Sequence, residues 1–379
     1  MSYTETTSQG FFSRLSSAFG GIIVGIILIL ISSFLLYWNE GNYVRTAAGL
    51  AEGKRGVSEI KEDKVDPSME GKLVHLIGTT KVSKPLSDEA FGVTAKAIRL
   101  RRSVHFYEWK ENKESKMRKK LGGGEETVTT YTYEKTWVGE HQDSSNFKEK
   151  GHTNPSPPDI QDQDFAANDA TIGVFKLQPP VLDAIKSFDK LPLKDVHLPS
   201  DKKMKVTNDV IYQGKDPANP SVGDVKVDFQ VVNPGQLSLV AKQVGDSFDS
   251  YTTKADTKIL IVQAGNHAAA DMFANAEASN NTMTWVLRFV GWIMMCIGFS
   301  MLVGPINIVA DIIPFVGDLV GLGTGLFGLM IGTSLALVCI AVGWIAARPV
   351  VGILMLAAAV GVFVMVYKMG KKKNQEDPR

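Results

Sequence analysis

The chain has 379 residues, and its 41 Lys and Arg nearly balance its 40 Asp and Glu. This balance lacks the basic excess typical of nucleic-acid-binding proteins, so no nucleic-acid partner is expected. Both cysteines, Cys296 and Cys339, lie in apolar runs, which excludes a disulfide scaffold and indicates packing residues. The hydrophobic residues, 44% of the chain, are concentrated in long runs, and this segregation predicts an integral membrane protein.

The first apolar run covers residues 20–38, nineteen residues without a charge. A helix of about 20 residues spans the hydrocarbon core of a bilayer. The run is longer than the hydrophobic segment of a usual signal peptide, and no small-residue cleavage site follows it closely. We therefore expect an uncleaved first span at 20–38, preceded by a cytoplasmic N-terminal segment at 1–19.

Residues 39–284 form a polar block in which apolar and polar residues alternate, as in half-buried strands. Helices are predicted at 181–188 and 267–278. The block is therefore a large, mostly antiparallel β (α+β) extramembrane domain inserted between spans one and two, and a barrel and a sandwich both remain open. The predicted strands cover 72–82, 97–109, 127–138, 171–177, 205–212, 224–232, 236–244 and 258–263.

A long hairpin is predicted around the glycine triplet at 122–124. The preceding stretch, residues 110–120, mixes lysines with glutamates. A solvated hairpin tip is the favoured interpretation, and a patch for lipid headgroups or a partner is the alternative.

Three more apolar runs predict spans at 285–310, 319–347 and 350–367, which completes a four-span α-helical bundle. The third is long for one crossing, so a broken or re-entrant start is an alternative. The basic tail at 368–379 predicts a cytoplasmic C-terminus. Four crossings then make the N-terminus cytoplasmic and the β domain periplasmic, extracellular or lumenal. Residues predicted at the membrane interface are Trp38, Trp285, Arg288, Arg348, Lys371, Lys372 and Lys373.

Residues 311–318 separate the second and third spans and contain Asp311, Pro314 and Asp318. Proline cannot continue a helix, and Asp318 is a suitable N-cap for the third span. The favoured interpretation is a cytoplasmic interfacial turn. A buried ionisable site is the alternative, because carboxylates at membrane depth usually mark functional positions.

Glycines at a spacing of four let membrane helices approach closely. This spacing recurs in the first span and in the third. The predicted helix-packing residues are Gly21, Gly25, Gly317, Gly321, Gly325, Gly328 and Gly332.

No catalytic motif is present in the sequence, and the six histidines show no metal-ligand spacing. Neither a nucleophile elbow nor a phosphate-binding loop occurs. The sequence therefore predicts no enzyme, no catalytic or metal-binding residue and no cofactor.

Several stretches resemble the LUMA family of four-span membrane proteins. These stretches are NEG (39–41), EGKLVHLIGTTKVSKPLSD (70–88), IRLRRSVHFYEW (98–109), YTYEKTW (131–137), NFKEKGHTNPS (146–156), VGDVKV (222–227), the Asp311, Pro314 and Asp318 pattern, and the turn at 348–349. The resemblance implies a scaffold without catalytic residues that self-associates. Eukaryotic members lie in the endoplasmic reticulum and the inner nuclear membrane, where they associate with emerin and lamins.

The leading hypothesis is a non-catalytic multi-pass scaffold that organises membrane protein complexes or membrane domains. Its partners are the lipid bilayer, other membrane proteins and a second copy of the chain. The alternative is an ion channel or transporter that uses Asp311 and Asp318. A lipid-modifying enzyme using the same two aspartates is less favoured, because two carboxylates without a partnering histidine or third acid supply few of the groups that a catalytic site needs.

Overall fold

The computed structural model describes residues 2–193, 196, 198, 204–348, 350, 353, 354 and 357. The tail lysines Lys371, Lys372 and Lys373 and nearly all of the predicted fourth span lie outside the described residues. Within the described part, the helices are α1 (Phe11–Gly56), α2 (Pro179–Ala184), α3 (Ala269–Leu302), α4 (Gly304–Ala310) and α5 (Pro314–Ala347).

The strands are short except for one hairpin. They are β1 (Ser2–Gln9), β2 (Ser58–Ile60), β3 (Leu73–Lys81), β4 (Leu86–Asp88), β5 (Val93–Ala95), β6 (Arg99–Lys119), β7 (Glu125–Val138), β8 (Gln163–Ala166), β9 (Thr171–Ile172), β10 (Phe175–Lys176), β11 (Asp189–Lys190), β12 (Lys205–Thr207), β13 (Val210–Gln213), β14 (Val225–Val232), β15 (Gln236–Val244), β16 (Ser247–Asp249), β17 (Tyr251–Thr252), β18 (Lys258–Ile259) and β19 (Ile261–Ala264).

The chain divides into two compact units. We call the first the β unit; it comprises Met1–Glu5, Gly49–Ser115 and Thr129–Ala276. We call the second the helical unit; it comprises Thr6–Ala48, Lys116–Val128 and Glu277–Arg379. The tip of the β6–β7 hairpin therefore belongs to the helical unit.

The β unit contains two larger sheets, mostly antiparallel, one ordered β1-β7-β6-β14-β13-β12 and the other β19-β15-β16-β10-β9-β3-β2. Strand β14 pairs with β6, with Val227 opposite Val104, and its alternate residues are buried, as period-2 patterning requires. In the second sheet Leu239 of β15 lies opposite Leu76 of β3. The second sheet closes on itself, because β15 pairs with β3 as well as with β16. Each of the two sheets carries its own buried apolar cluster.

The helical unit packs α1, α3 and α5 around a small buried cluster that includes Leu36, Met295 and Ala336. These three helices are each long and apolar enough to cross a membrane. Gly25 of α1 and Gly298 of α3 face each other, and a Cβ on either would come within 3 Å of the other residue's carbonyl oxygen. Such close contacts allow dispersion forces to act between helices without a hydrophobic driving force.

Four elements differ from the sequence expectation. Helix α1 extends well beyond the apolar run at 20–38, in both directions. The predicted second span is two helices, because α3 ends at Leu302 and α4 begins at Gly304 with Pro305 in its first turn. Strand β6 continues through the charged stretch to Lys119 because β7 pairs with it. Strand β1 was not predicted, since its polar residues SYTETTSQ show no apolar face.

Candidate functional site at the two ends of the helical unit

Asp311 occupies the C-cap position of α4, at the start of the turn that leads into α5. Helix α5 begins at Pro314, whose fixed φ suits the first helical position, and Ile313 is the N-cap residue. Asp318 therefore lies inside α5 and does not cap it, which corrects the predicted capping role. The Asp311 side chain is 2% exposed, whereas that of Asp318 is 72% exposed. The two aspartates thus occupy opposite environments.

Two cations neutralise Asp311. Arg14, in the first turn of α1, donates through Nη2 to Asp311 Oδ2 at 2.7 Å. Lys119, at the end of β6, places its Nζ 2.7 Å from Asp311 Oδ1. Burying an isolated carboxylate is costly, and this pairing offsets the cost.

Two further carboxylates complete the group, which we call the Asp311 cluster: Arg14, Lys119, Glu125, Asp311 and Asp318. Arg14 Nη2 lies 3.1 Å from Glu125 Oε2, and Lys119 Nζ lies 2.9 Å from Asp318 Oδ1. Partial burial lowers the pKa of Lys119, but hydrogen bonds to the two aspartates outweigh it, so the pKa stays above its ordinary value. Lys119 is therefore charged throughout the physiological range.

The glycine triplet shapes the hairpin tip around this cluster. Gly123 has φ +77°, and its carbonyl oxygen accepts a 2.7 Å hydrogen bond from Arg14 Nη1. A Cβ on Gly123 would lie 2.6 Å from Phe11 Cδ2. The neighbouring Gly122 N–H donates to Ile312 O at 3.0 Å. The triplet is thus a fitted contact with α1 and the turn.

Gly317 supplies the space that the Asp311 side chain occupies. A Cβ at this position would approach Asp311 Oδ1 within clash distance and Asp311 Cα at 2.8 Å. Gly317 therefore accommodates the buried carboxylate, a role different from the helix–helix contact that its spacing predicted.

A second ion cluster lies 26 residues further along α1, about 39 Å at 1.5 Å per residue. We call it the Glu40 cluster: Asn39, Glu40, Thr284 and Arg288. Glu40 is fully buried, and its two carboxylate oxygens accept hydrogen bonds from Arg288 Nε at 2.6 Å and Nη2 at 2.7 Å. Asn39 Nδ2 donates to Thr284 O at 3.2 Å. Bidentate pairing fixes α1 and α3 in register.

Aromatic rings surround Arg288. The guanidinium lies 4.7 Å from the ring centroid of Trp285 and 6.0 Å from that of Trp344. Helix α5 closes the cluster, because a Cβ on Gly343 would lie 2.7 Å from Glu40 Cβ. All three helices thus meet at the Glu40 cluster.

The remaining predicted glycines and membrane-interface residues lie either in helix–helix contacts or at open and exposed positions. Gly328 and Gly332 of α5 face Ser300 and Cys296 of α3 at close range, and Gly21 makes an ordinary contact with Met301. Gly321 and Gly325 have open space where a Cβ would stand. Exposed residues among those predicted at the interface are Trp38, Trp285 and Arg348.

Sequence reasoning missed the roles of Arg14, Glu40, Lys119 and Glu125. A signal existed for Glu40, the first charged residue after the apolar run at 20–38, and for Arg288, the one charged residue in the span predicted at 285–310. Opposite charges at the adjoining ends of antiparallel helices are placed to pair. No comparable signal marked Arg14, whose partner Asp311 lies 297 residues away.

Both clusters are arrays of mutually satisfied charges. Among the described residues, no group of three or more His, Cys, Asp or Glu side chains is placed to hold a metal ion. Asp311 is ion-paired with Arg14 and Lys119, and Glu40 is ion-paired with Arg288. Chemically, the arrangement ties helices and hairpin together.

Comparison with known proteins identifies relatives of matching length. A family model described as Transmembrane protein 43 matches residues 106–349. The chain is similar to Transmembrane protein 43 of Mus musculus, with 34% identity over 375 residues, 96% of this chain and 92% of the relative. The Homo sapiens protein is 34% identical over 368 residues, 94% and 92% of the two chains. The Drosophila melanogaster homolog is 30% identical over 352 residues, 90% and 93%. No solved structure matches.

Proposed function

Because the chain belongs to the Transmembrane protein 43 family, the LUMA family that its motifs indicated, we propose that this integral membrane protein is a non-catalytic scaffold. In this role it organises membrane protein complexes or membrane domains and associates with itself. The β unit is the surface for partners, and the helices are the anchor. The termini face the cytoplasm.

One observation carries the proposal: the buried carboxylates of the helical unit are bound by cations from other segments. Asp311 is held by Arg14 and Lys119, and Glu40 is held by Arg288. A permeation site needs carboxylates that face water and exchange ions. These carboxylates are committed to internal ion pairs, which favours a structural framework over a channel.

Apolar side chains on the outer surface of the helices support the membrane anchor. Phe34, Trp285, Leu322 and Leu326 are all more than half exposed. Exposed apolar area of this kind is stable in lipid and marks a membrane or protein contact. The open positions Gly321 and Gly325 are the proposed contact between copies, since a second helix can approach closely there.

The test is subunit counting and chemical cross-linking of the full chain in native membranes. We expect a dimer or larger assembly, weakened at least several-fold by the double substitution Gly321→Leu and Gly325→Leu. Gly20→Leu is the matched control, because its Cβ also meets open space, but on α1. A chain that stays monomeric and enriches no membrane protein in cross-linking contradicts the scaffold.

A further inference from the structure

A groove of about 220 Å³ runs between α3 and α5 in the helical unit. The described residues that line it lie between Trp285 and Trp292 on α3 and between Thr333 and Ile340 on α5. On each helix the lining positions recur every three or four residues, so each helix contributes one face. The small side chain of Ala336, which is almost fully buried, leaves room between these two faces.

The groove is apolar along most of its length, and its rim is open to the surroundings of the helices. Trp285 is 61% exposed, Phe289 is 58% exposed and Leu337 is 49% exposed. Both helices are long and apolar enough to cross a membrane. Seven residues of helix rise about 10 Å, whereas half of the hydrocarbon core is about 15 Å thick. The groove therefore matches part of one lipid acyl chain in chemistry and in length.

Positive charge collects at the Arg288 end of the groove. Glu40 accepts hydrogen bonds from Nε and Nη2 of Arg288, and no described residue accepts one from Nη1. Arg348, at the C-cap of α5, is exposed and forms no ion pair within the described part of the chain. Two arginines against one glutamate leave one positive charge in excess among these three residues.

Tryptophan rings lie beside both arginines. The guanidinium carbon of Arg288 lies 4.7 Å from the ring centroid of Trp285. The guanidinium carbons of Arg288 and Arg348 lie 6.0 Å and 5.6 Å from the ring centroid of Trp344. The Nε1–H of Trp344 is buried and has no acceptor among the described residues. Arginine binds phosphate well, and tryptophan is enriched at the level of lipid headgroups.

We propose that this groove binds one anionic phospholipid, with an acyl chain between α3 and α5 and the headgroup phosphate at Arg288 and Arg348. Basic pockets between membrane helices are known to bind anionic headgroups. The excess charge supplies the preference for an anionic over a zwitterionic lipid, about five-fold for one cation. This site goes beyond the scaffold role, because a monomer binds the lipid as well as an assembly does.

Photoreactive lipids test the site in the full chain, reconstituted in phosphatidylcholine vesicles. A phosphatidylglycerol probe and a phosphatidylcholine probe carry the same diazirine on one acyl chain, and mass spectrometry locates the labelled peptides. We expect the phosphatidylglycerol probe to label residues 285–292 and 333–340 about five-fold more than the phosphatidylcholine probe. Labelling at Leu30 and Phe34, which are exposed on α1, should be equal for the two probes.

Two arginine variants separate this site from general electrostatic attraction. Arg348→Gln removes the unpaired cation at an exposed position and should abolish the preference within the groove. Arg45→Gln is the matched control, because it removes an exposed cation from α1 that does not line the groove. Equal loss of preference in the two variants, or equal labelling by the two probes, overturns the inference. Absence of label from the groove also overturns it and assigns the groove to a protein segment.

Discussion

The two ion clusters of the helical unit each stabilise a buried carboxylate, but with different sets of partners. The Glu40 cluster holds one fully buried carboxylate with one arginine, in a bidentate pair between two helices, and the Arg288 side chain is 14% exposed. The Asp311 cluster holds one buried carboxylate with two cations, and two further acids share those cations. The Glu40 carboxylate therefore depends on a single partner. Asp311 has two cationic partners, so losing either cation leaves Asp311 paired with the other.

Glu40→Gln should have the largest effect on stability. It leaves the Arg288 guanidinium beside an uncharged amide in a buried site, and breaking a buried pair costs about 3–5 kcal/mol. The measurement is chemical unfolding in detergent micelles, followed by tryptophan fluorescence. Glu277→Gln, at an exposed position on α3, the helix that carries Arg288, is the control and should change little. An equal effect of the two substitutions would contradict the proposed role of Glu40.

Asp311→Asn should come second, at about 2–3 kcal/mol, because Glu125 still pairs with Arg14 and Asp318 with Lys119. The same unfolding measurement applies. We also expect faster proteolysis at the hairpin tip, because the Asp311 cluster loses the acid that pairs with both Arg14 and Lys119. If Asp311→Asn destabilises the protein more than Glu40→Gln, the redundancy of the Asp311 cluster is disproved.

Gly317→Ala tests the packing that surrounds Asp311. The added methyl group must displace Asp311 or its backbone, and overpacking of this kind costs about 1–3 kcal/mol. Gly321→Ala is the matched control one turn later, where a Cβ meets open space, and it should be neutral or slightly stabilising. The measurement is the midpoint of thermal unfolding of the two variants. Equal midpoints would contradict the role of Gly317 in making room for the Asp311 side chain.

Asp318→Asn should have the smallest effect, about 0–1 kcal/mol, because its carboxylate is largely exposed and screened. The expected result is a small destabilisation that disappears at high salt. Unfolding at low and at molar salt concentrations measures it. A loss comparable to that of Asp311→Asn would show that the exposed aspartate is as important as the buried one.

Local patterning explains which parts of this fold the sequence predicted. Alternation along β14 identified both the strand and its buried face, because Val225 and Val227 point to one side of the sheet. The apolar runs located α1, α3 and α5, because each run is long enough to cross a membrane as a helix. Each of these signals lies within a short window, so no knowledge of distant partners was needed.

The ion clusters depend on pairings that no local pattern encodes. Arg288 was predicted only as a membrane-interface residue, and its pairing with Glu40 depends on the packing of α1 against α3. The start of α5 was misplaced for a different reason. Pro314 at its first position was the stronger helix-start signal, but Asp318 was taken as the cap. The hairpin strands were cut short because the charges at 110–120 hid a pairing that β7 imposes on β6.

Gly317 gives this architecture a genetic consequence. Every amino-acid substitution that a single base change can produce from a glycine codon adds a Cβ, and at this position a Cβ meets Asp311. Residue 317 therefore has no neutral missense neighbour in the genetic code, whereas at residue 321, one helical turn later, a Cβ meets open space within the single chain. Variation at 317 should accordingly be rare among functional alleles, even though the residue itself carries no charge and touches no ligand.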